Sequence, residues 1–268
     1  MMISSTLVWQ PEYIRGDEFN NLHLQRLING EIPAIVIDDF YPLDVCQIVA
    51  ERFKNIFDIE EYSLKNISSS YLGNPVCEMC GNKDEYFKRV PLMMSRVAEL
   101  FNELGIETPL EMVLSLLKNG WIPGAEVAME GSKQYFAGVV RVTKSSGLHN
   151  DLAPRDFRWP TLEQVSHQLV WNLYLQKPDS NGGKLRIWDR EWSPLDEQHK
   201  LTAGTMGYTY DVVDGATYAD IEPLEGRLVF FKTTNFHEVL RDDGNTERLS
   251  IASFIGVTND QEPLILWS

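Results

Sequence analysis

Apolar residues recur at helical spacing along the first part of the chain. Between about residues 15 and 120, three such stripes run through Val45 to Phe53, Val90 to Phe101 and Leu110 to Leu117. Asp44 stands directly before the first stripe, where a short polar side chain commonly caps a helix. The run Ile35-Val36-Ile37 is instead typical of a short strand. The pattern therefore predicts a mainly helical segment over residues 1–120.

The pattern shortens after residue 121 into β-branched and aromatic runs separated by clusters of Gly, Pro, Asn and Asp. These runs cover residues 139–142, 168–175, 185–188, 227–231 and 249–255. Many short strands with turn signals predict a barrel or a double-sheet jelly roll, and the preceding helices are then expected to pack outside it. We therefore expect an α+β, mainly β fold in a single domain of residues 1–268, with the jelly-roll core over residues 121–268.

The composition excludes several classes of partner. The chain has 268 residues and a formal net charge of −15, which disfavours binding to nucleic-acid phosphates. It has no apolar run long enough for a membrane span, and residues 1–10 lack the layout of a signal peptide. The cysteine count is three, which argues against a disulfide framework. We therefore expect a cytoplasmic protein with a small-molecule partner, and the oligomeric state stays open.

Candidate chemistry begins with a His-x-Asp motif. His149 and Asp151 are two positions apart, and residues at that spacing in a strand point to the same side. A later strand can bring a second imidazole, His237, to the same point. Two histidines and one carboxylate on one face leave open positions on a metal, which is the arrangement of non-haem Fe(II) oxygenases. We interpret His23, His167 and His199 as ordinary surface or core residues because none is followed two positions later by a carboxylate, as His149 is.

A second polar pair lies downstream of His237. Arg248 and Ser250 are expected to share one face of an otherwise apolar strand. A guanidinium in such a strand is costly without an anion, and it forms strong charge-assisted bonds with a carboxylate. The pair therefore predicts a site for a carboxylate ligand. An internal salt bridge to an acidic side chain is the alternative.

The order of these motifs resembles the Fe(II)/2-oxoglutarate-dependent oxygenases of the prolyl-hydroxylase-like superfamily. The resemblance covers roughly residues 135–257, and further matching stretches are Leu173-Tyr174-Leu175, residues 182–188, residues 223–231 and residues 236–239. It implies a double-stranded β-helix with iron held by His149, Asp151 and His237 as the catalytic centre. It also implies that 2-oxoglutarate and O2 are cosubstrates, with ascorbate as a reductant that keeps the iron as Fe(II).

The resemblance implies roles for further residues as well. Arg248 would bind the distal carboxylate of 2-oxoglutarate, with Ser250 and Tyr174 as hydrogen-bonding partners and Leu185 lining the same pocket. Arg141, on the strand that leads to His149, is expected to reach cosubstrate or substrate. The aromatic residues expected to line the substrate pocket are Phe157, Trp159, Trp188, Trp192 and Phe236; core packing is the alternative for each.

A closer likeness is to the cyanobacterial alkaloid halogenases, on Gly182-Gly183 followed by residues 189–194. Those enzymes carry glycine where this chain has Asp151, and chloride fills the vacated position on iron. The presence of Asp151 therefore predicts hydroxylation of an unactivated C–H bond of a natural product or amino acid, with release of succinate and CO2. Desaturation or oxidative cyclisation with the same cofactors is one alternative, and a non-catalytic cupin-like binding module is another. Cys77 and Cys80 resemble half a zinc site, but a loop with free thiols is the simpler interpretation.

Overall fold

The computed structural model describes residues 9–57, 59–64 and 67–268. The expectation about a signal peptide concerns residues 1–10, of which residues 1–8 lie outside the described ranges. The α-helices of the described part are α1 (Asn21–Ile28), α2 (Leu43–Lys54), α3 (Val76–Met79), α4 (Lys83–Glu99), α5 (Pro109–Gly120) and α6 (Ala153–Asp156). Short 3-10 turns cover Gly16–Glu18, Leu162–Gln164, Pro194–His199 and Tyr210–Val213. None of the helices in these ranges combines the length and the apolar character that a bilayer crossing requires.

Strands dominate the second half of the chain. In chain order the strands are β1 (Glu12–Ile14), β2 (Ala34–Ile37), β3 (Glu60–Glu61), β4 (Ser68–Leu72), β5 (Ala125–Val127), β6 (Met129–Glu130), β7 (Lys133–Gln134), β8 (Val139–His149), β9 (His167–Gln176), β10 (Leu185–Glu191), β11 (Tyr218–Ile221), β12 (Leu228–Lys232), β13 (Asn235–Val239), β14 (Leu249–Val257) and β15 (Leu264–Trp267). Each of the five runs predicted from the sequence lies on a strand, namely β8, β9, β10, β12 and β14.

The long strand β8 joins two sheets into one curled structure. Its first half pairs with β14, and its last residues pair with β13. The strand order is therefore β1-β2-β12-β9-β14-β8-β13-β10-β11, with β4 along the other side of β8. This arrangement is the double-stranded β-helix that the sequence predicted, and most of the pairing is antiparallel.

Strand β9 shows how the core is divided between the outside and the inside of the curl. Its alternate residues Leu169, Trp171 and Leu173 are buried in the main apolar cluster with residues of the helices. The intervening residues Val170 and Tyr174 face the interior of the curl, in a second cluster. The helices therefore cover the outer face of the major sheet, as expected, while the inner face is free to build a site.

The N-terminal segment departs from the sequence prediction in two respects. Asp44 does not cap α2, because the helix begins at Leu43 and Pro42 occupies the cap position. Asp44 lies in the first turn instead, where its charge favours the positive end of the helix dipole. The segment also contributes β4, which was not predicted and pairs with β8, whereas β2, which pairs with β12, contains the predicted run Ile35-Val36-Ile37. The β4 pairing brings residues of the N-terminal segment to the cavity described below.

Candidate iron and cosubstrate site

The register between β8 and β13 brings two histidines together. His149 and His237 are directly paired residues of these antiparallel strands. Their ring centroids are 4.2 Å apart, with an angle of 52° between the ring planes. Paired residues of antiparallel strands point to the same face, so both imidazoles enter the interior of the curl.

Backbone carbonyl groups fix which ring nitrogen of each histidine faces the site. The Nδ1–H of His149 donates to the carbonyl oxygen of Gly147 at 2.7 Å, and the Nδ1–H of His237 donates to that of Asn235 at 2.9 Å. A carbonyl oxygen can only accept, so Nδ1 carries the proton in both rings. In a neutral ring Nε2 then carries a free lone pair that faces the site, which is the form that binds a metal.

Asp151 completes the cluster from just beyond the end of β8. Its Oδ2 lies 3.6 Å from Nε2 of His237 and 3.9 Å from Nε2 of His149. Its position does not come from strand alternation, because β8 ends at His149. The backbone N–H of Asp151 instead donates to the carbonyl oxygen of Thr233, and the Thr233 hydroxyl donates back to the carbonyl oxygen of Asp151 at 3.0 Å. The turn between β12 and β13 thus holds the carboxylate in place.

The protonation states suit a metal ion. Burial and the neighbouring His237 lower the pKa of His149 to about 4, so this imidazole is neutral at neutral pH. Burial of Asp151 opposes ionisation, but its contact with the His237 ring, together with the nearby His149 and Arg141, lowers its pKa to about 2. Neutral imidazoles and an ionised carboxylate are the ligand forms that bind a divalent cation.

The donor set fits iron. One ligand atom from each of His149, Asp151 and His237 can be chosen so that the three lie within 4.8 Å of one another. Two nitrogen ligands and one oxygen ligand converging from one side match the facial arrangement that leaves positions open for cosubstrate and oxygen. The structure thus brings together all three residues that the sequence singled out.

Replacing Thr233 with valine is expected to weaken iron binding by about 10- to 100-fold, the usual effect of losing a partner that orients a ligand. The substitution keeps the shape but removes the hydroxyl that bonds to the Asp151 and Gln168 carbonyl groups. Anaerobic titration with Fe(II) measures the effect. Thr234→Val is the matched control, because the Thr234 hydroxyl bonds to Glu191 instead. Equal iron affinities in the two variants would contradict the positioning role of Thr233.

A cavity of about 280 Å³ opens beside the three residues. Its lining includes all three, together with Arg141, Leu185, Arg248 and Ser250 among the predicted cosubstrate residues. Arg141 and Ser250 are paired between β8 and β14, and Ser250 is paired with Tyr174 between β14 and β9. Because paired residues share a face, these three side chains form one row across the inner surface of the sheet.

Arg248 lies at the closed end of the cavity without an acidic partner. It is only 3% exposed, and its Nε has no hydrogen-bond partner. Its guanidinium lies 4.8 Å from the ring centroid of Tyr174, whose hydroxyl is also buried and unpartnered. The salt bridge considered as an alternative is not formed: no carboxylate of the described residues pairs with Arg248. A buried cation and an unpaired hydroxyl are costly unless an anion binds, so these groups fit the distal carboxylate of 2-oxoglutarate.

Comparison with known proteins agrees with this geometry. Residues 18–268 match the family described as "Carrier-protein-independent halogenase WelO5". The chain belongs to this family. "Leucinostatins biosynthesis cluster protein S" of Purpureocillium lilacinum is 32% identical over 198 residues, which are 70% of this chain and 80% of the relative. "L-gamma-glutamyl-L-propargylglycine hydroxylase" of Streptantibioticus cattleyicolor is 30% identical over 162 residues, 60% of this chain and 59% of the relative.

Solved structures support the fold. An N-substituted L-amino acid dioxygenase from Burkholderia ambifaria superposes with a TM-score of 0.59 at 16% identity, covering 92% of this chain and 91% of that one. A second structure of that enzyme contains alpha-KG, which is 2-oxoglutarate. The resemblance inferred from the sequence is thus confirmed: this member of the WelO5 family is an Fe(II)- and 2-oxoglutarate-dependent oxygenase, and it carries aspartate in its His-x-Asp motif.

The aromatic residues expected in the substrate pocket divide into two groups. Phe157 lines the cavity. The structure does not bring the other four to it. Trp159 packs against Tyr86, Phe87 and Tyr135 in the main core. Trp188 and Phe236 belong to a separate apolar cluster behind the histidines, where Trp192 packs at the edge beneath the guanidinium of Arg155. Strand alternation is the physical reason for Phe236, because its neighbour His237 takes the inward position.

Sequence reasoning missed the residues that form the outer wall of the cavity. This wall includes Tyr62, Val76, Cys77 and Glu78, all from the N-terminal segment. No local pattern marks them, because they reach the cavity only through the pairing of β4 with β8. Cys77 and Cys80 are free thiols, as expected, but Cys77 lies in α3 rather than in a loop.

Proposed function

We propose that the protein hydroxylates an unactivated C–H bond of a small molecule, with Fe(II) as cofactor and with 2-oxoglutarate and O2 as cosubstrates. Succinate and CO2 are the coproducts. The observation that carries this proposal is the position of Asp151, whose Oδ2 faces Nε2 of both His149 and His237. A three-residue ligand set leaves room for cosubstrate and oxygen but none for a halide in the place of the carboxylate.

Each residue of the site has a role in the proposal. His149, Asp151 and His237 hold the iron. Arg248 binds the distal carboxylate of 2-oxoglutarate at the closed end of the cavity, assisted by the hydroxyl groups of Ser250 and Tyr174. Bound iron with 2-oxoglutarate supplies the activation of oxygen for C–H oxidation. The protein contributes orientation of both molecules and exclusion of water by apolar walls. Leu185 and Phe231 contribute to those walls.

The substrate is proposed to be an amino acid or an amino-acid derivative. The relative at 30% identity is named for hydroxylation of a γ-glutamyl amino acid, although this chain spans only 59% of its length. The cavity of about 280 Å³ is large enough for a molecule of that class but not for a folded macromolecule. The lack of a nucleic-acid or membrane partner and the cytoplasmic location stay predictions from composition.

Halogenation is the second candidate, because the family description names a halogenase. Asp151 argues against it for this member, since its carboxylate occupies the third corner of the ligand set. Desaturation and oxidative cyclisation require the same iron and cosubstrate and differ only in the fate of the substrate radical. A non-catalytic module that only binds a metal would not require Arg248, which is buried beside the cavity.

The proposal is tested with purified protein under anaerobic conditions. Fe(II) and 2-oxoglutarate together are expected to produce a weak metal-to-ligand absorption band, and admission of O2 should release succinate. Product masses then separate the candidates: hydroxylation adds one oxygen, desaturation removes two hydrogens, and halogenation in chloride buffer adds chlorine with its isotope pair. A protein that shows neither the band nor succinate is not an oxygenase of this class.

A further inference from the structure

A second arginine of the cavity has no acidic partner. Arg141 lines the cavity from β8, and its Nε donates to the hydroxyl of Tyr62 at 2.7 Å. No carboxylate of the described residues lies within ion-pair distance of its guanidinium. The cavity therefore contains two guanidinium groups free to bind anions, whereas 2-oxoglutarate has only one carboxylate that is not adjacent to its keto group.

The two arginines occupy different parts of the cavity. Arg248 is almost completely buried at the closed end, while Arg141 is partly exposed. Arg141 contacts Tyr62, and Cys77 beside it is an exposed residue of the outer wall. On its other side Arg141 is close enough to Asp151 for their charges to interact. Its guanidinium thus lies near Asp151 on one side and near Tyr62 and Cys77 on the other, and it is more accessible to a ligand than that of Arg248.

The surroundings of Arg141 suit one charged group on an otherwise apolar molecule. The cavity lining includes the apolar side chains of Leu64, Ile67, Val76 and Phe157, together with the carboxylates of Glu78 and Asp156. The Tyr62 hydroxyl occupies Nε and leaves the two terminal nitrogens of the guanidinium for a ligand. Two parallel N–H groups match the two oxygens of a carboxylate.

We infer that Arg141 binds the carboxylate of the substrate and thereby selects aliphatic amino-acid-type molecules with a free carboxyl group. The inference rests on the proposed function, because it assumes that iron and 2-oxoglutarate fill the inner part of the cavity. It replaces the broader expectation that Arg141 reaches either cosubstrate or substrate. Tyr62 is a positioning residue, since it acts by holding the guanidinium.

The test compares acids with their uncharged counterparts. The ligands are L-valine, L-leucine and L-norvaline, each as the free and the N-acetylated acid, and the carboxamide of each. Every compound is titrated separately into anaerobic enzyme loaded with Fe(II) and 2-oxoglutarate, and calorimetry gives its Kd. At least one acid is expected to bind about 10-fold or more tightly than its amide. Arg141→Gln should remove that preference, Arg141→Lys should retain part of it, and Tyr62→Phe should reduce it.

Controls separate this inference from the proposed function. Arg158→Gln removes one exposed positive charge outside the cavity lining and should leave the preference for acids unchanged. Thermal unfolding checks that each variant folds. If no acid binds more tightly than its amide, or if Arg141→Gln weakens 2-oxoglutarate binding and leaves the preference intact, the inference is wrong. The absorption band and succinate release of the wild-type enzyme test the proposed function independently of that result.

Discussion

Replacing Asp151 with alanine is expected, in chloride-free buffer, to lower iron affinity by more than about 100-fold and to abolish succinate formation. The change removes one of three ligands and the only negative charge among them. Loss of a mere orienting partner already costs about 10- to 100-fold, so loss of a ligand should cost more. Iron content after anaerobic desalting measures binding, and succinate release measures turnover.

Asp260→Ala is the matched control for this prediction. Asp260 is exposed and has no part in the cavity, so its removal should change neither iron content nor succinate release. Circular dichroism confirms that the Asp151 variant retains the fold. Retention of stoichiometric iron with normal succinate release by Asp151→Ala would contradict the assigned ligand set.

Replacing Arg248 with methionine is expected to weaken 2-oxoglutarate binding by at least about 30-fold while making the unliganded protein more stable. Loss of one partner of a buried charged pair costs about 2–5 kcal/mol of binding free energy, or roughly 30- to 5000-fold in Kd. Without the ligand, the same guanidinium is a buried charge whose Nε has no partner. An apolar side chain of similar length should therefore stabilise the protein by about 1–4 kcal/mol. Loss of the contact between the guanidinium and the ring of Tyr174 offsets part of this gain.

Thermal unfolding with and without 2-oxoglutarate measures both effects. Ligand at 100 times the wild-type Kd should stabilise the wild-type protein by about 2.7 kcal/mol and the Arg248 variant by less than about 1 kcal/mol. Arg241→Met is the control, because Arg241 is exposed and pairs with the exposed Asp243. A variant that is less stable than the wild type and is still stabilised by 2-oxoglutarate would refute the role of Arg248.

Local sequence pattern predicted the strands that carry the site. Runs such as residues 168–175 contain β-branched and aromatic residues bounded by turn-forming clusters, and both signals act over a few residues. The same is true of α5, which the apolar stripe from Leu110 to Leu117 predicted and which spans Pro109–Gly120. The strands β1, β3, β4 and β11 are short and depend on their neighbours for pairing, so no comparable local signal marks them.

The aromatic side chains show why pocket residues were harder to predict. An aromatic residue is large and apolar in any environment, so composition alone cannot distinguish a pocket wall from a packed core. Trp159 is 4% exposed within the main core, whereas Phe157, two residues earlier, lines the cavity. The direction of each side chain depends on the turn between α6 and the following 3-10 segment, which only the folded chain defines.

The sequence by itself determined the chemistry of the inner site. Polar or charged residues on or beside apolar strands cost free energy when they are buried without a partner, and this marks His149-x-Asp151, His237 and Arg248-x-Ser250 as functional. The tertiary structure decided how they meet and what surrounds them. Strand register pairs His149 with His237, and the backbone of Thr233 places Asp151 beyond the strand end. Pairing of β4 with β8 brings Tyr62 to Arg141 across 79 positions of sequence, a contact that no local pattern can encode.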